Sequence, residues 1–342
     1  VTAASEHLDA LISAYEGLDP ETRAELRRRL LARAGADERA RMLQEALPEA
    51  ESQQQTTFRP PSEGILEYLA TARKALAAYG PPDSYQPGDE DALHLIREET
   101  LVALEPIEAL LKSYFRYEVH GIEHIPRNGR AIIVSNHGLL PVDGWFLSYE
   151  IKRLRGRWPR GLTDWRIYQL PLLRQLFMDM GTVVGSHDNG DRLLQREDLL
   201  FIMPGGSKEA WKSSKYRYRL LWKGRTGFIK LALRNRTPII PSANVGTDDT
   251  YRVLFDGYST AYKLFGTKRA LFPVSLPIGL GPLPLPVKMT QYVGEPIVFP
   301  YPPEAEQDPA IVKACQEEVK SKVYALIDRG LRERQERRLE GL

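Results

Sequence analysis

The residues best suited to chemistry lie in one run, Ser135-Asn136-His137-Gly138-Leu139-Leu140-Pro141-Val142-Asp143-Gly144. A short apolar segment, Ala131–Val134, reads as a strand that delivers His137 into a loop. Asp143 returns six residues later beside a helix start. A buried carboxylate that accepts a hydrogen bond from one imidazole nitrogen fixes the tautomer and leaves the other nitrogen as a base. No G-x-S-x-G turn accompanies the pair, so the histidine need not serve a protein serine and is free to deprotonate a substrate hydroxyl. The same spacing also suits a turn histidine followed by an ordinary helix-capping aspartate. Spacing alone leaves both readings open.

Three further segments bear on the choice. Phe201-Ile202-Met203-Pro204-Gly205-Gly206-Ser207-Lys208-Glu209-Ala210 runs from a strand through two glycines toward a helix, where exposed N–H groups suit an oxyanion or a phosphate. Residues 181–186 (GTVVGS) form a glycine-bounded strand compatible with close approach of a ligand. Thr237-Pro238-Ile239-Ile240-Pro241 reads as a short buried strand. Each also has a plain structural reading, as a turn or as core.

Hydrophobic periodicity predicts the elements that must hold these loops. Strands are expected at Ala131–Val134, 182–184, 199–203 and 238–241, with helices at 144–154, 171–180 and Gly227–Arg234 between them. That alternation predicts an α/β domain, a largely parallel sheet flanked by helices, with functional groups at strand ends. Asp308-Pro309 opens a closing helix with Ile311, Cys315, Val319, Val323, Ile327 and Leu331 on one side. Residues 1–88 read as an all-helical N-terminal extension with a linker near 51–62, where Gln53-Gln54-Gln55 and Pro60-Pro61 fall. The domain proper is expected over 89–342, beginning with a long helix at 89–115 and carrying its motifs within 116–300.

With 342 residues, 42% hydrophobic and 27% charged, the chain belongs to the globular class. Its net charge of +2 hides an uneven distribution. Residues 1–100 hold 19 acidic and 11 basic side chains, a difference of −8, whereas 151–240 hold 19 basic and 7 acidic, a difference of +12. No nucleic-acid-reading motif accompanies the basic middle, so no nucleic-acid partner is expected. A single cysteine, Cys315, excludes an internal disulfide framework and fits a reducing compartment. Six histidines without a second thiol argue against a zinc cluster. The start Val1-Thr2-Ala3-Ala4-Ser5-Glu6-His7 has neither a basic patch nor an apolar run, so no signal peptide is expected. Residues 270–287 carry no charge, yet Pro273, Pro277, Pro282, Pro284 and Pro286 forbid a spanning helix. They are expected to form an apolar ligand path or a membrane-facing surface, with a buried wall of the core as the structural alternative. Residues 144–160, which join Trp145, Phe146, Leu147 and Ile151 to Lys152, Arg153, Arg155, Arg157 and Arg160, are expected to lie on an anionic bilayer.

Together and in this order, the four segments resemble the glycerolipid acyltransferase superfamily, which includes the lysophosphatidic acid acyltransferases. Asn136-His137 with Asp143 matches its first block, 181–186 its second, Pro204-Gly205-Gly206 its third and 238–241 its fourth. The chain is most similar to the monoacylglycerol/diacylglycerol acyltransferase-like branch, through Pro-Gly-Gly-x-x-Glu-Ala and the following Trp222-Lys223-Gly224-Arg225-Thr226-Gly227-Phe228.

The resemblance implies transfer of a fatty acyl group, not an amino-acyl group, from a thioester to the hydroxyl of a lipid acceptor. The donor it implies is acyl-CoA or acyl carrier protein, as co-substrate. His137 would take the acceptor's proton, Asp143 would orient His137, and Gly205 and Gly206 would steady the oxyanion. Asn136, Ser207, Lys208, Glu209 and Arg225 are the accompanying substrate-binding candidates. Arg225 is among them because a guanidinium pairs bidentately with phosphate, while Glu209 also suits a helix N-terminus. No metal, cofactor or covalent acyl-enzyme is implied, and the implied setting is peripheral, on the cytoplasmic face of a membrane. The phosphate-handling members carry an arginine in the second block and Glu-Gly-Thr-Arg in the third. Here those places read Gly185-Ser186-His187-Asp188 and Gly205-Gly206-Ser207-Lys208. An uncharged acceptor such as mono- or diacylglycerol is therefore expected. The alternatives are a lysophospholipid acceptor, with Lys208 replacing the missing arginine, and a non-catalytic lipid-binding protein of the same fold. Intact His137 and Asp143 speak against the last.

Overall fold

In this computed structural model, residues 96–169, 171–254, 277–280 and 283–340 are described. The expected extension over 1–88, its linker and the start of the helix expected at 89–115 lie outside the described residues.

The sheet grows outward from β2 (Ala131–Val134), whose four apolar residues are all fully buried. A strand covered on both faces reads as a continuous apolar run for this reason. Ile132 and Val134 pack on one face with Leu193, Leu231, Val319 and Val323, while Ala131 and Ile133 pack on the other with Leu147 and Ile151. β5 (Leu199–Ile202) and β6 (Ile239–Val245) flank β2, both parallel to it. Beyond β5 lie β3 (Arg160–Thr163) and β4 (Val183–Val184), also parallel. Beyond β6 lie β9 (Thr290–Val293), which is antiparallel to β6, and β1 (Glu118–His120), which is parallel to β9. The order is β1-β9-β6-β2-β5-β3-β4. The largely parallel α/β architecture expected from the alternation is what the chain adopts. Three of its strands escaped the periodicity because they are short and carry polar residues: β1 (EVH), β3 (RGLT) and β9 (TQYV).

Helices cover both faces. The described helices include α1 (Glu98–Tyr114), α2 (Val142–Arg155), α3 (Pro171–Asp179), α4 (His187–Gln195), α5 (Gly206–Ala210), α6 (Gly227–Arg234) and α7 (Pro309–Leu339). On one face, α4, α6 and α7 build the larger core, and α2 covers the other. Asp308 caps α7, its Oδ1 accepting from the Ala310 amide at 2.8 Å and the Ile311 amide at 3.3 Å, with Pro309 at the first turn. The expected stripe of α7 is the buried one, through Cys315, Val319, Val323 and Ile327.

The membrane-facing reading of 144–160 is overturned. Phe146, Leu147 and Ile151 are fully buried core residues of α2. The cations beside them pair with acidic side chains or main-chain carbonyls of the protein. Arg153 pairs with Glu108 (2.7 Å) and Glu150 (3.0 Å), and Lys152 pairs with Glu98. Arg155 donates to the Ile125 carbonyl at 2.6 Å, and Arg157 to those of Pro126, Gly129 and Glu197. Arg160 is buried, donating to the Gly181 carbonyl at 2.6 Å; desolvation pulls its guanidinium down to about 10. A basic amphipathic pattern cannot by itself tell carbonyl-binding arginines from lipid-binding ones.

The role of α7 as a wall of the main core yields a stability prediction. Ile327→Ala, at a position 1% exposed, should lower the unfolding free energy by about 2–5 kcal/mol in urea denaturation. Glu317→Ala, on the exposed face, should change it by less than about 0.5 kcal/mol.

Candidate active site

Parallel strands end on a common edge, so the loops after β2, β4 and β5 meet there. The Ser135 amide still pairs with the Ile202 carbonyl at 3.1 Å, carrying the β2–β5 ladder one residue past the strand. Asn136 is buried and locks the loop to the end of β6. Its Nδ2 donates to the Asn244 carbonyl at 3.1 Å, and its Oδ1 accepts from the Asn244 amide at 2.8 Å. Gly138 lies against Thr247 so closely that a Cβ there would stand 2.2 Å from Thr247 Oγ1. Asn136 therefore serves the loop that carries His137, rather than facing a substrate.

His137 Nδ1 lies 2.8 Å from the Gly138 carbonyl. A carbonyl only accepts, so Nδ1 carries the proton and Nε2 is the basic nitrogen. Burial, reinforced by the charges of Lys212 and Arg225 and opposed by the Gly138 carbonyl, lowers the imidazole to about 4. It is thus neutral, and base-competent, throughout the neutral range.

The peptide of His137 is gripped from the third block. Its N–H donates to Glu209 Oε1 at 2.8 Å. The other carboxylate oxygen, Oε2, accepts from the Leu221 amide at 2.6 Å. The His137 carbonyl accepts from Lys212 Nζ at 3.0 Å, and the same ammonium donates to Asp248 Oδ1 at 2.7 Å. Glu209 is fully buried, and desolvation lifts it to about 7 against the pull of Lys212 and the two amides. Lys212 and Asp248 were not singled out in the sequence. Lys212 sits in WKSSKYRYR, a stretch that reads as a solvated basic surface, and only the fold buries it.

Asp143 stands in the first turn of α2, buried, with no hydrogen-bond partner for either carboxylate oxygen among the described residues. Desolvation raises it to about 7, with Asp248 adding to the rise and the nearby Asp143 and Gly144 amides and Lys212 opposing it. Orientation of the ring by Asp143, as expected from the spacing, differs from the geometry: Gly138 holds Nδ1. A carbonyl one residue away reaches the ring without the carboxylate having to leave its helix turn.

The Gly205-Gly206 turn is braced by Arg225. Nη1 donates to the Pro204 carbonyl at 2.9 Å and also to that of Gly205. Gly206 has a φ of +49°, a left-handed conformation that favours glycine. The Gly206 amide donates to the Met203 carbonyl at 3.0 Å and is not free for an oxyanion. The Gly205 amide has no internal acceptor among the described residues. Ser207 is half-buried and Lys208 is exposed.

Beside this turn lies a cleft of about 280 Å³. Its wall includes Ile202, Met203, Phe228 and Leu231, and its polar rim Thr163, Asp164, Ser186, His187, Gly206 and Arg225. The second block supplies part of that rim, where Ser186 also caps α4 by accepting from the Asn189 amide at 3.1 Å. Residues 238–241, the fourth block, instead continue the core through β6. Arg225 is the one Lys or Arg among the described lining residues.

The chain is similar to several known proteins. The acyltransferase family matches residues 116–245. An uncharacterized protein of Mycobacterium tuberculosis is 34% identical over 226 residues, 64% of this chain and 62% of that protein. The human DGAT1/2-independent enzyme synthesizing storage lipids is 31% identical over 213 residues, 62% of this chain and 61% of that enzyme. The chain thus spans about three fifths of the length of these curated relatives. The crystal structure of the 1-acyl-sn-glycerophosphate acyltransferase PlsC from Thermotoga maritima aligns with a TM-score of 0.41 and 17% identity, covering 77% of this chain and 95% of that one. The first and third blocks are thus joined in one site inside the segment that matches the acyltransferase family.

Proposed function

We propose that the protein transfers a fatty acyl group from acyl-CoA or acyl carrier protein to the free hydroxyl of an uncharged glycerolipid, such as mono- or diacylglycerol. The observation that carries this reading is the bond from His137 N–H to Glu209 Oε1, which ties the first and third blocks into one site. His137 Nε2 takes the acceptor's hydroxyl proton as the oxygen attacks the thioester carbonyl. The Gly205 amide donates to the oxyanion of the tetrahedral intermediate. When the C–S bond breaks, the imidazolium returns its proton to the leaving thiolate. Asp143, ionised, offsets the charge of the imidazolium. An uncharged acceptor is supported by the cleft, whose described lining holds one guanidinium, Arg225, with Nη1 engaged by the Pro204 and Gly205 carbonyls, and whose rim includes Asp164. The human relative's name, an enzyme synthesizing storage lipids, points the same way. The cleft is near the lower end of small-molecule sites, roughly 300–1,000 Å³, with room for a head group rather than a whole lipid.

A lipid acceptor requires a lipid surface, and the proposed setting is the cytoplasmic face of a membrane. No described helix is long and apolar enough to cross one. Support comes instead from a two-stranded sheet, β7 (Arg252–Val253) with β8 (Pro277–Ile278). Around it Leu254, Ile278, Leu280 and Leu283 are each between 45% and 61% exposed. The Val253 amide donates to Ser214 Oγ at 2.9 Å, which brings the exposed Lys215 and Arg217 alongside. Leucines rimmed by cations suit an anionic bilayer. Of the uncharged 270–287 stretch, Leu283 is exposed while Leu285 is half-buried, its amide donating to the Thr250 carbonyl at 2.7 Å. The remainder, 270–276 and 281–282, lies outside the described residues.

Four outcomes test the proposal. Mass spectrometry of products from one acyl-CoA and a panel of acceptors should find acylation of mono- or diacylglycerol over lysophosphatidate. His137→Ala should lower that turnover by about 10²–10⁴-fold while leaving the fold intact; a folded His137→Ala protein with normal turnover would sink the mechanism. The pH profile reports Asp143. Because burial raises its carboxyl to about 7, kcat/KM should climb with pH through that value. Asp143→Asn should abolish the climb and cost roughly 100-fold at pH 8. It should also melt no lower than the wild type at pH 8, since the amide avoids burying a charge. A wild-type profile in the variant would remove Asp143 from the chemistry. On the surface, Leu283→Glu should weaken binding to anionic liposomes in sedimentation, with folding free energy unchanged within about 0.5 kcal/mol. Unaltered binding would refute the β7–β8 docking surface.

A further inference from the structure

The cluster around Lys212 is not explained by the steps above. Its side chain is 3% exposed and Asp248's 5% exposed. A buried ammonium is retained only when it is paired and hydrogen-bonded, and this one has two acceptors from separate elements. Asp248 follows β6, and its second oxygen accepts from the Tyr218 amide at 2.6 Å. The other acceptor is the carbonyl of His137 itself, 3.0 Å away. The candidate base therefore has its N–H held by Glu209 and its C=O held by Lys212, two side chains three residues apart around one short helix. A peptide held at both ends has little freedom to rotate, and its imidazole leaves from a fixed point.

We propose that Lys212, anchored by Asp248, is a positioning residue that holds the main chain of His137 and so fixes where the imidazole presents Nε2. The inference rests on the reading of His137 as the general base. The charged groups around that turn are Asp143 on α2, Glu209 on α5, Lys212, Arg225 before α6 and Asp248 after β6. Lys212 and Arg225 are the two positive ones, and both disfavour the imidazolium. Loss of Lys212 thus has two readable consequences. Misplacing a base by about 1 Å costs up to roughly 100-fold in turnover. Lys212 also opposes the burial-driven rise of Asp143, whose ionisation sets the acidic limb of the rate profile, so removing the ammonium moves that limb to higher pH.

The test uses the full-length protein, one acyl-CoA and the preferred acceptor, with Lys212→Met, the double variant Lys212→Met/Asp248→Asn, and His137→Ala in parallel. The double variant removes the carboxylate that the single change would leave buried and unpaired, and so guards against a loss of folding for that reason. The expected result is a fall in kcat of about 10–100-fold with KM for the donor within about twofold, and an acidic limb shifted upward in pH. A folded variant with the wild-type kcat and limb overturns the inference, as does failure of both lysine variants to fold, which would make Lys212 a structural residue only. If His137→Ala keeps its turnover, the general-base reading fails first. If His137→Ala is inactive while folded lysine variants are normal, the role of Lys212 alone is lost.

Discussion

A strand buried on both faces offers no polar side chain until it leaves the sheet, and β2 leaves it at Ser135. Everything functional follows from that constraint. Ala131–Val134 must be apolar to be covered by α2 on one side and by α4, α6 and α7 on the other, so the first polar residues of the run emerge inside the protein. Ser135 and Asn136 are buried, and each needs partners. The ladder to Ile202 supplies one, and the reciprocal pair with Asn244 supplies the other. A buried amide that makes two bonds with one neighbouring backbone is a stiff joint, because freeing either group costs about 1–3 kcal/mol. His137 thus starts from a fixed place.

The price of this arrangement is a set of buried carboxylates. Asp143, Glu209 and Asp248 are each raised by burial, so part of the fold's stability at low pH is lost as they ionise toward neutrality. The sign is that of a carboxyl whose folded value exceeds its unfolded one. His137 acts oppositely: lowered to about 4, it favours the folded state less as pH falls from its ordinary 6.5. Glu209 and Asp248 are answered by amides and by Lys212. Neither oxygen of Asp143 has a hydrogen-bond partner among the described residues. A buried carboxylate without a hydrogen-bond partner is uncommon and calls for an explanation, which the proposed role beside His137 supplies.

Arg225 and the arginines of 153–160 show how one residue type serves two ends. A guanidinium has five donors in a fixed fork, as suited to main-chain carbonyls as to phosphate. In this fold the carbonyls have most of them: Ile125, Pro126, Gly129, Gly181, Pro204, Gly205. Arg155, Arg157, Arg160 and Arg225 therefore brace the main chain, while Lys208, Lys215, Arg217 and Lys223 of the same basic stretch stay exposed. The apolar surface rimmed by cations lies on β7 and β8.

The sequence by itself determined the architecture of the motif-bearing region. The apolar runs of β2, β5 and β6, the helix Gly227–Arg234 and the Asp308-capped α7 are all local patterns, dictated by periodicity and capping chemistry. β6 runs past the expected 238–241 to Val245 because Ser242 and Asn244 are polar yet buried, satisfied by Tyr292 and by Asn136 and Gln291. The motif order was also legible, since each block sits at the end of its own strand or in its turn. Which residues touch was decided only by the tertiary structure. Nothing within WKSSKYRYR marks Lys212 as buried, for the carbonyl and carboxylate that hold it lie 75 and 36 residues away. Nothing in the His137–Asp143 spacing shows that the Gly138 carbonyl accepts the hydrogen bond from the ring. Local patterns fix elements through interactions a few residues apart, whereas the partners of a buried charge are chosen by which loops the sheet order brings to one edge.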